Sequence, residues 1–253
     1  PAGAAEPDAR GDIRMGAYEF FGKQAPGKRD MSCACHWAVN QAASDQHGRM
    51  WGHAYSILPG GIYVAGDSEI RRPDDLADVP VAVGYHSGSH FSAIQALEAV
   101  LEPDQISLRF LGMPYDRVDA LLDGTVPAAN IWGAATYLLE QQGFRKVLDS
   151  TFMAGFLFSA HIDPADVEKY LNGLKRAQMD LDFEPERYKH YYLKEIPERF
   201  HDMIDVRAFG TGERVVFLPY TRETYERSQE WMRERRLFEH APHAQEFASV
   251  VQL

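Results

Sequence analysis

The chain has 253 residues, 45 % of them hydrophobic and 25 % charged, and carries a formal net charge of -11 at neutral pH. Those figures fit a globular protein of one large domain or two smaller lobes. They argue against a nucleic-acid surface, since the densest basic run, Arg233-Glu234-Arg235-Arg236, is short and interrupted by an acid, and no apolar stretch approaches the roughly 18 residues needed for a membrane insertion.

Residues 1–11 read as a small, polar lead-in, residues 13–21 as a strand and residues 22–29 as a loop. The chain opens at Pro1 rather than Met, which leaves room for a leader or a first βα unit upstream. Residues 31–37 predict a short strand running into a helix over 37–44, with Cys33-Ala34-Cys35-His36 at the junction. A disulfide between thiols one residue apart would be strained. Reduced thiols give a weak vote for the cytoplasm.

A strand is expected at 61–64 after the turn Pro59-Gly60, then a short helical piece at 72–76. The pattern next alternates: strand 81–83 and helix 91–101, strand 106–111 and helix 116–122, strand 126–131 and helix 134–142, strand 146–149. This rhythm implies a parallel sheet with helices on its faces. Beyond it come a buried strand at 154–160, a helix at 163–180, two polar helices at 184–193 and 196–203, a strand at 215–218 and an amphipathic helix at 222–235.

The organising stretch is residues 81–94, VAVGYHSGSHFSAI. An apolar strand ends in the turn 84–89, which aims a helix N-terminus and its unpaired N–H groups at whatever lies above the strand ends. Ser87 and Ser89 add hydroxyls, Gly88 lets a ligand approach the backbone, and His86 and His90 are four residues apart. A small anion, as carboxylate, sulfonate or phosphate, is the favoured guest. An ordinary βα connection with exposed histidines is the alternative.

In this order the pieces resemble the two-lobed type II periplasmic-binding-protein fold. The likeness is closest to the branch of ABC-transporter solute-binding proteins, pyrimidine-precursor proteins and 4,5-dihydroxyphthalate decarboxylase-like enzymes. It rests on Ile62-Tyr63-Val64 through Asp67-Ser68-Glu69-Ile70 and Arg72-Pro73-Asp74-Asp75-Leu76, on residues 81–89, on Asp123-Gly124-Thr125-Val126-Pro127-Ala128-Ala129, and on residues 219–238. The family's opening strand and helix have no match before Ile13, and Cys33-Ala34-Cys35-His36 has no counterpart in its pattern.

The resemblance implies an α/β chain with mainly parallel sheets, helices on both faces and an interlobe crevice. Lobe one would be residues 1–78 plus 154–253, and lobe two 79–153. The crevice would gather Cys33, Cys35, His36, Tyr85, His86, Ser87, Gly88, Ser89, His90, Asn130 and Trp132. Asn130 and Trp132 would orient and cover a flat ligand.

Three chemistries fit these residues. In the first, Cys33 or Cys35 acts as nucleophile and His36, His86 or His90 moves a proton, without an organic cofactor, in a decarboxylase- or desulfinase-like lyase. In the second, the chain is a solute-binding protein that hands its ligand to an ABC permease, and its place is then periplasmic or extracellular. In the third, Cys33, Cys35, His36, His86 and His90 hold a metal ion, although Cys-x-Cys-His is not a standard zinc spacing. The two cysteines serve equally well as small buried fillers. The partners implied are a small-molecule ligand, the permease if the receptor reading holds, and a second copy of the chain in a homo-oligomer.

Overall fold

The computed structural model describes residues 30–238 and 246–252; the strand expected at 13–21 lies outside them. In chain order the elements are β1 (Met31–Cys35), α1 (His36–Ser44), β2 (Arg49–Trp51), β3 (Tyr55–Leu58), β4 (Gly60–Val64), β5 (Val81–Val83) and α2 (Gly88–Leu97). There follow β6 (Leu108–Phe110), α3 (Pro114–Leu122), β7 (Ala128–Trp132), α4 (Ala134–Gln141), β8 (Arg145–Asp149), β9 (Phe152–Phe158) and α5 (Pro164–Phe183). After several short helical turns come β10 (Arg214–Val216), α6 (Arg222–Glu234), α7 (Phe247–Val250) and β11 (Val251–Gln252).

The chain divides into two compact units. The first comprises Leu58–Phe152 and Leu181–Glu213 and is built on a five-stranded sheet in the order β6-β5-β7-β4-β8. Its central strands are wholly or almost wholly buried, so they read as continuous apolar runs. The period of two sorts their side chains. Ile62, Val64, Val81, Val83 and Ala128 pack with Ala93, Leu97, Leu101 and Ile106 on one face. Tyr63, Ala82, Ala129 and Ile131 pack with Val118, Leu121, Leu138 and Leu139 on the other.

That second face is completed by Ile196, Phe200 and Phe209, which lie far along the chain. Each contributes roughly 1.5–3 kcal/mol by leaving water. The division expected at residues 79 and 154 is corrected accordingly. Residues 60–64 pair with β7 and β8, and residues 196–209 fill this unit's core, so both belong to it rather than to the other lobe.

The second unit takes in residues 30–57, Met153–Asp180 and the described residues from Arg214 onward. Its sheet runs β10-β3-β9-β2-β11, with β1 also paired to β9. Helices α1 and α6 meet through Trp37 against Trp231 and a hydrogen bond between Ser44 and Tyr225 at 3.0 Å. Thr221 starts α6 as an N-cap, its hydroxyl accepting from the Thr224 amide at 3.2 Å.

Strand pairing is mixed rather than mainly parallel. Parallel pairs join β5 to β6 and β7, and β11 to β2. The pairs of β4 with β7 and β8, of β1 and β2 with β9, and of β10 with β3 are antiparallel. The βαβ connections expected from the sequence are those that generate parallel neighbours; strands entering from distant parts of the chain run against them. The polar helices expected at 184–193 and 196–203 are short helical turns instead. Only Ile196 and Phe200 among these residues are buried, too few to support a continuous amphipathic helix. Among the described residues no helix is long and apolar enough to cross a membrane.

Candidate anion-binding site

Strands β5, β6 and β7 lie side by side and parallel, so α2, α3 and α4, which follow them, all begin at one edge of the sheet. Each helix start carries partial positive charge and unsatisfied amides. Two of the three are answered from within the protein. The Asp116 carboxylate accepts from the Met113 amide at 2.6 Å at the start of α3. The Glu195 carboxylate accepts from the Ala134 amide at the start of α4.

The start of α2 is different. Ser87 holds the N-cap position without capping the helix. Its hydroxyl donates to the Gly84 carbonyl at 2.8 Å and lies 2.8 Å from the Ser89 hydroxyl, which accepts from the Gly84 amide at 2.9 Å. The two serines therefore close a ring with Gly84 and turn their hydroxyls inward. The amides of Gly88 and Ser89 are left without an acceptor among the described residues. These are donors an anion can take.

His90 adds an independent observation. It is 2 % exposed, and its Nδ1 accepts from the His86 amide at 3.3 Å. The ring proton is thus assigned to Nε2, and that buried atom has no partner. Burial first, and His86 second, lower the His90 pKa to about 3, so the ring is neutral at physiological pH. It is a hydrogen-bond donor there, not an acid. His86 sits at φ 47, an uncommon conformation for a non-glycine residue and one often found at binding sites. Its ring stacks on Tyr85 at 4.0 Å, and Phe110 stands edge-on to Tyr85 and His90.

Asn130 and Trp132 lie in the same unit but differ in role. Asn130 is buried and its side chain is fully committed, donating to the Ser89 carbonyl at 2.7 Å and Ser92 Oγ at 2.9 Å and accepting from Ser150 at 2.7 Å. It holds the helix start in place and is not available to orient a ligand, which corrects the sequence reading. Trp132 is partly buried at the strand end, edge-on to Phe152, and keeps a surface that a flat ligand can use.

The Cys/His junction belongs to the second unit and is not one cluster. Cys33 is exposed and lies near Tyr170 on α5, whose phenol pKa is raised first by burial and second by that thiol. Cys35 is buried under the first turn of α1, where its sulfur accepts from the Ala38 and Trp37 amides. Burial outweighs these hydrogen bonds and pushes the thiol up to about 12, so it is protonated at neutral pH. His36 begins α1, and burial lowers its pKa to about 3. Its Nδ1 lies 3.1 Å from the Tyr220 hydroxyl, which accepts from Asn40 Nδ2 at 2.7 Å. Among the described residues no three His, Cys, Asp or Glu side chains gather as metal ligands.

The sequence reading missed Arg117, Glu195 and Tyr220. Arg117 carried a legible signal: with Val118 and Leu121 it falls on the apolar stripe of its helix.

No family model and no curated protein matches this sequence. Its fold does match solved structures. The alkanesulfonate-binding protein SsuA from Xanthomonas axonopodis pv. citri, bound to MOPS, is similar at a TM-score of 0.69 and 17 % identity, over 94 % of this chain and 85 % of that one. The periplasmic aliphatic sulphonate-binding protein SsuA from Escherichia coli is similar at 0.69 and 19 %, over 90 % and 82 %. A cysteine-to-serine mutant of DszB in complex with biphenyl-2-sulfinic acid is similar at 0.58 and 14 %, over 84 % and 80 %. The architecture is therefore that of the type II periplasmic-binding-protein-like proteins. Solved structures of that fold that it matches include sulfonate-binding SsuA proteins and DszB.

Proposed function

We propose that this chain is a receptor for a small organic anion, with a sulfonate or sulfinate as the preferred head group. The observation that carries this reading is the start of α2, where two unanswered amides accompany the unpartnered Nε2–H of buried His90. A small oxyanion at the helix start can accept from the two amides, and His90 offers a further donor on the same turn of helix. The aromatic surfaces of Tyr85 and Trp132 suit an organic remainder. The structural neighbours support the choice of head group, since they are described with a sulfonate buffer and an aryl sulfinic acid. On this reading the protein works outside the cytoplasm and delivers its ligand to an ABC permease.

The test is calorimetric titration with MOPS, propane-1-sulfonate, biphenyl-2-sulfinate and butyrate. Binding of at least one, weakened tenfold or more in H90F, is the expected result. No binding to any of them overturns the reading.

A second reading rests on Cys35. Its thiol lies at a helix start beside His36, whose imidazole is fixed by Tyr220, a pairing of residue types that suits lyase chemistry on a sulfinate. A sulfinate would lose its sulfur group as sulfite: water supplies oxygen to sulfur, and the carbon takes a proton. The protonated thiol in the ligand-free protein weighs against it. Sulfite release from biphenyl-2-sulfinate, abolished in C35S, would establish the lyase; binding without release leaves the receptor.

A further inference from the structure

Arg117 on α3 is 1 % exposed, and all its hydrogen bonds go to backbone carbonyls. Nε donates to Asn130 at 3.2 Å, and Nη1 donates to Leu111 at 3.3 Å and Gly112 at 3.0 Å. Among the described residues no carboxylate forms an ion pair with it. Asp116, its acidic chain neighbour, is hydrogen-bonded to the Met113 amide and acts on the guanidinium only through space. A buried cation with no carboxylate bonded to it is costly, and proteins rarely keep one idle.

Its position suggests what it is for. A Cβ added to Gly84 would meet Arg117 Nη1 at 3.1 Å and Ser87 Oγ at 3.0 Å. The guanidinium therefore lies against the Gly84–Ser87 turn that leads into α2. Through the Asn130 carbonyl it also touches the residue whose side chain holds Ser89 and Ser92. Glycine at position 84 leaves the space that lets the charge come so close.

We infer that Arg117 is the fixed positive charge behind the anion site, a specificity-determining residue that selects anions over neutral isosteres without touching the ligand. The bound anion supplies counter-charge beyond that of Asp116. This rests on the anion-receptor reading and deepens it. The hydrogen bonds of the α2 start accept any suitably placed oxygen; a buried charge in a low-dielectric surround discriminates by the ligand's charge.

The experiment compares propane-1-sulfonate with neutral methyl propyl sulfone, by calorimetry, in wild type, R117Q and R117K. In R117Q the sulfonate is expected to bind on the order of 30-fold more weakly, the scale of a single charge pair in a protein interior, while the sulfone changes less than about threefold and R117K stays near wild type. Equal losses for both ligands would make Arg117 a mere brace for the turn and overturn the inference, as would an unchanged R117Q. Where R117Q does not fold, the pH dependence of R117K decides. A buried lysine loses its proton at lower pH than an arginine, so sulfonate affinity in R117K should fall between pH 7 and 10 relative to wild type. Tyr85, His86, His90 and Asp116 surround the turn in both proteins and cancel in that comparison. Parallel profiles overturn the inference. A wild type that binds none of the anions tested above ends the receptor reading itself, whereas binding that ignores position 117 ends only this inference.

Discussion

The Asn130 side chain donates to the Ser89 carbonyl at 2.7 Å across a sequence separation of 41 residues, tying the middle of β7 to the first turn of α2. With Ser92 and Ser150 also bound, every polar atom of this buried amide is satisfied. Asn130→Leu keeps the volume and strands three partners. We expect a loss of about 2–4 kcal/mol, measured by urea unfolding, together with weaker binding of propane-1-sulfonate in whatever folded fraction remains.

Acid should destabilise both units. His36 and His90 titrate near 3 in the folded chain and near 6.5 when unfolded. Each therefore favours folding above pH 6.5, and that stability is lost as pH falls through the interval down to about 3. By pH 5 the loss is about 2 kcal/mol for each histidine. Chemical unfolding at pH 7 and pH 5 reads it directly. H36Q and H90Q should each have a flatter profile than wild type, whatever their stability at pH 7.

The two thiols should behave differently toward an alkylating reagent. Cys33 is exposed; Cys35 is buried and held protonated. Brief treatment with iodoacetamide at pH 7.5, followed by peptide mass spectrometry, should place the adduct on Cys33. Cys35 should react at a comparable rate only in denaturant. Early modification of Cys35 in the native protein would contradict its burial and revive a nucleophilic role.

Glu195 caps α4 through the Ala134 amide, and burial raises its pKa. Glu195→Ala should cost about 1 kcal/mol, seen as a lower Tm. Glu195→Gln should recover part of that loss, because its carbonyl oxygen can still accept from the amide.

The sequence makes the β5–α2 turn legible because three independent signals coincide there. An apolar strand, a Gly/Ser turn and a helical period all point to one geometry. The inward-facing serine ring and the commitment of Asn130 were not legible, since both depend on which hydroxyls and amides meet in space. The three-residue strand β2 and the four-residue strand β3 escaped notice because such short segments carry no readable period. Residues 184–203 misled for another reason. Pro185 and Pro197 are good helix starters, but the residues after them have almost nothing to bury. The Cys33–His36 junction was read as one reactive group on sequence proximity, yet an exposed strand position and a buried helix start have opposite surroundings.

The apolar face completed by Ile196, Phe200 and Phe209 has a consequence for biosynthesis. A ribosome finishes residues 58–152 long before it supplies those three side chains. Until about residue 213 has left the exit tunnel, the nascent chain carries a partly uncovered hydrophobic surface, a natural substrate for a holding chaperone. A recombinant piece ending at residue 152 would inherit the same exposed face permanently, so expressing the first unit alone requires joining 181–213 to it.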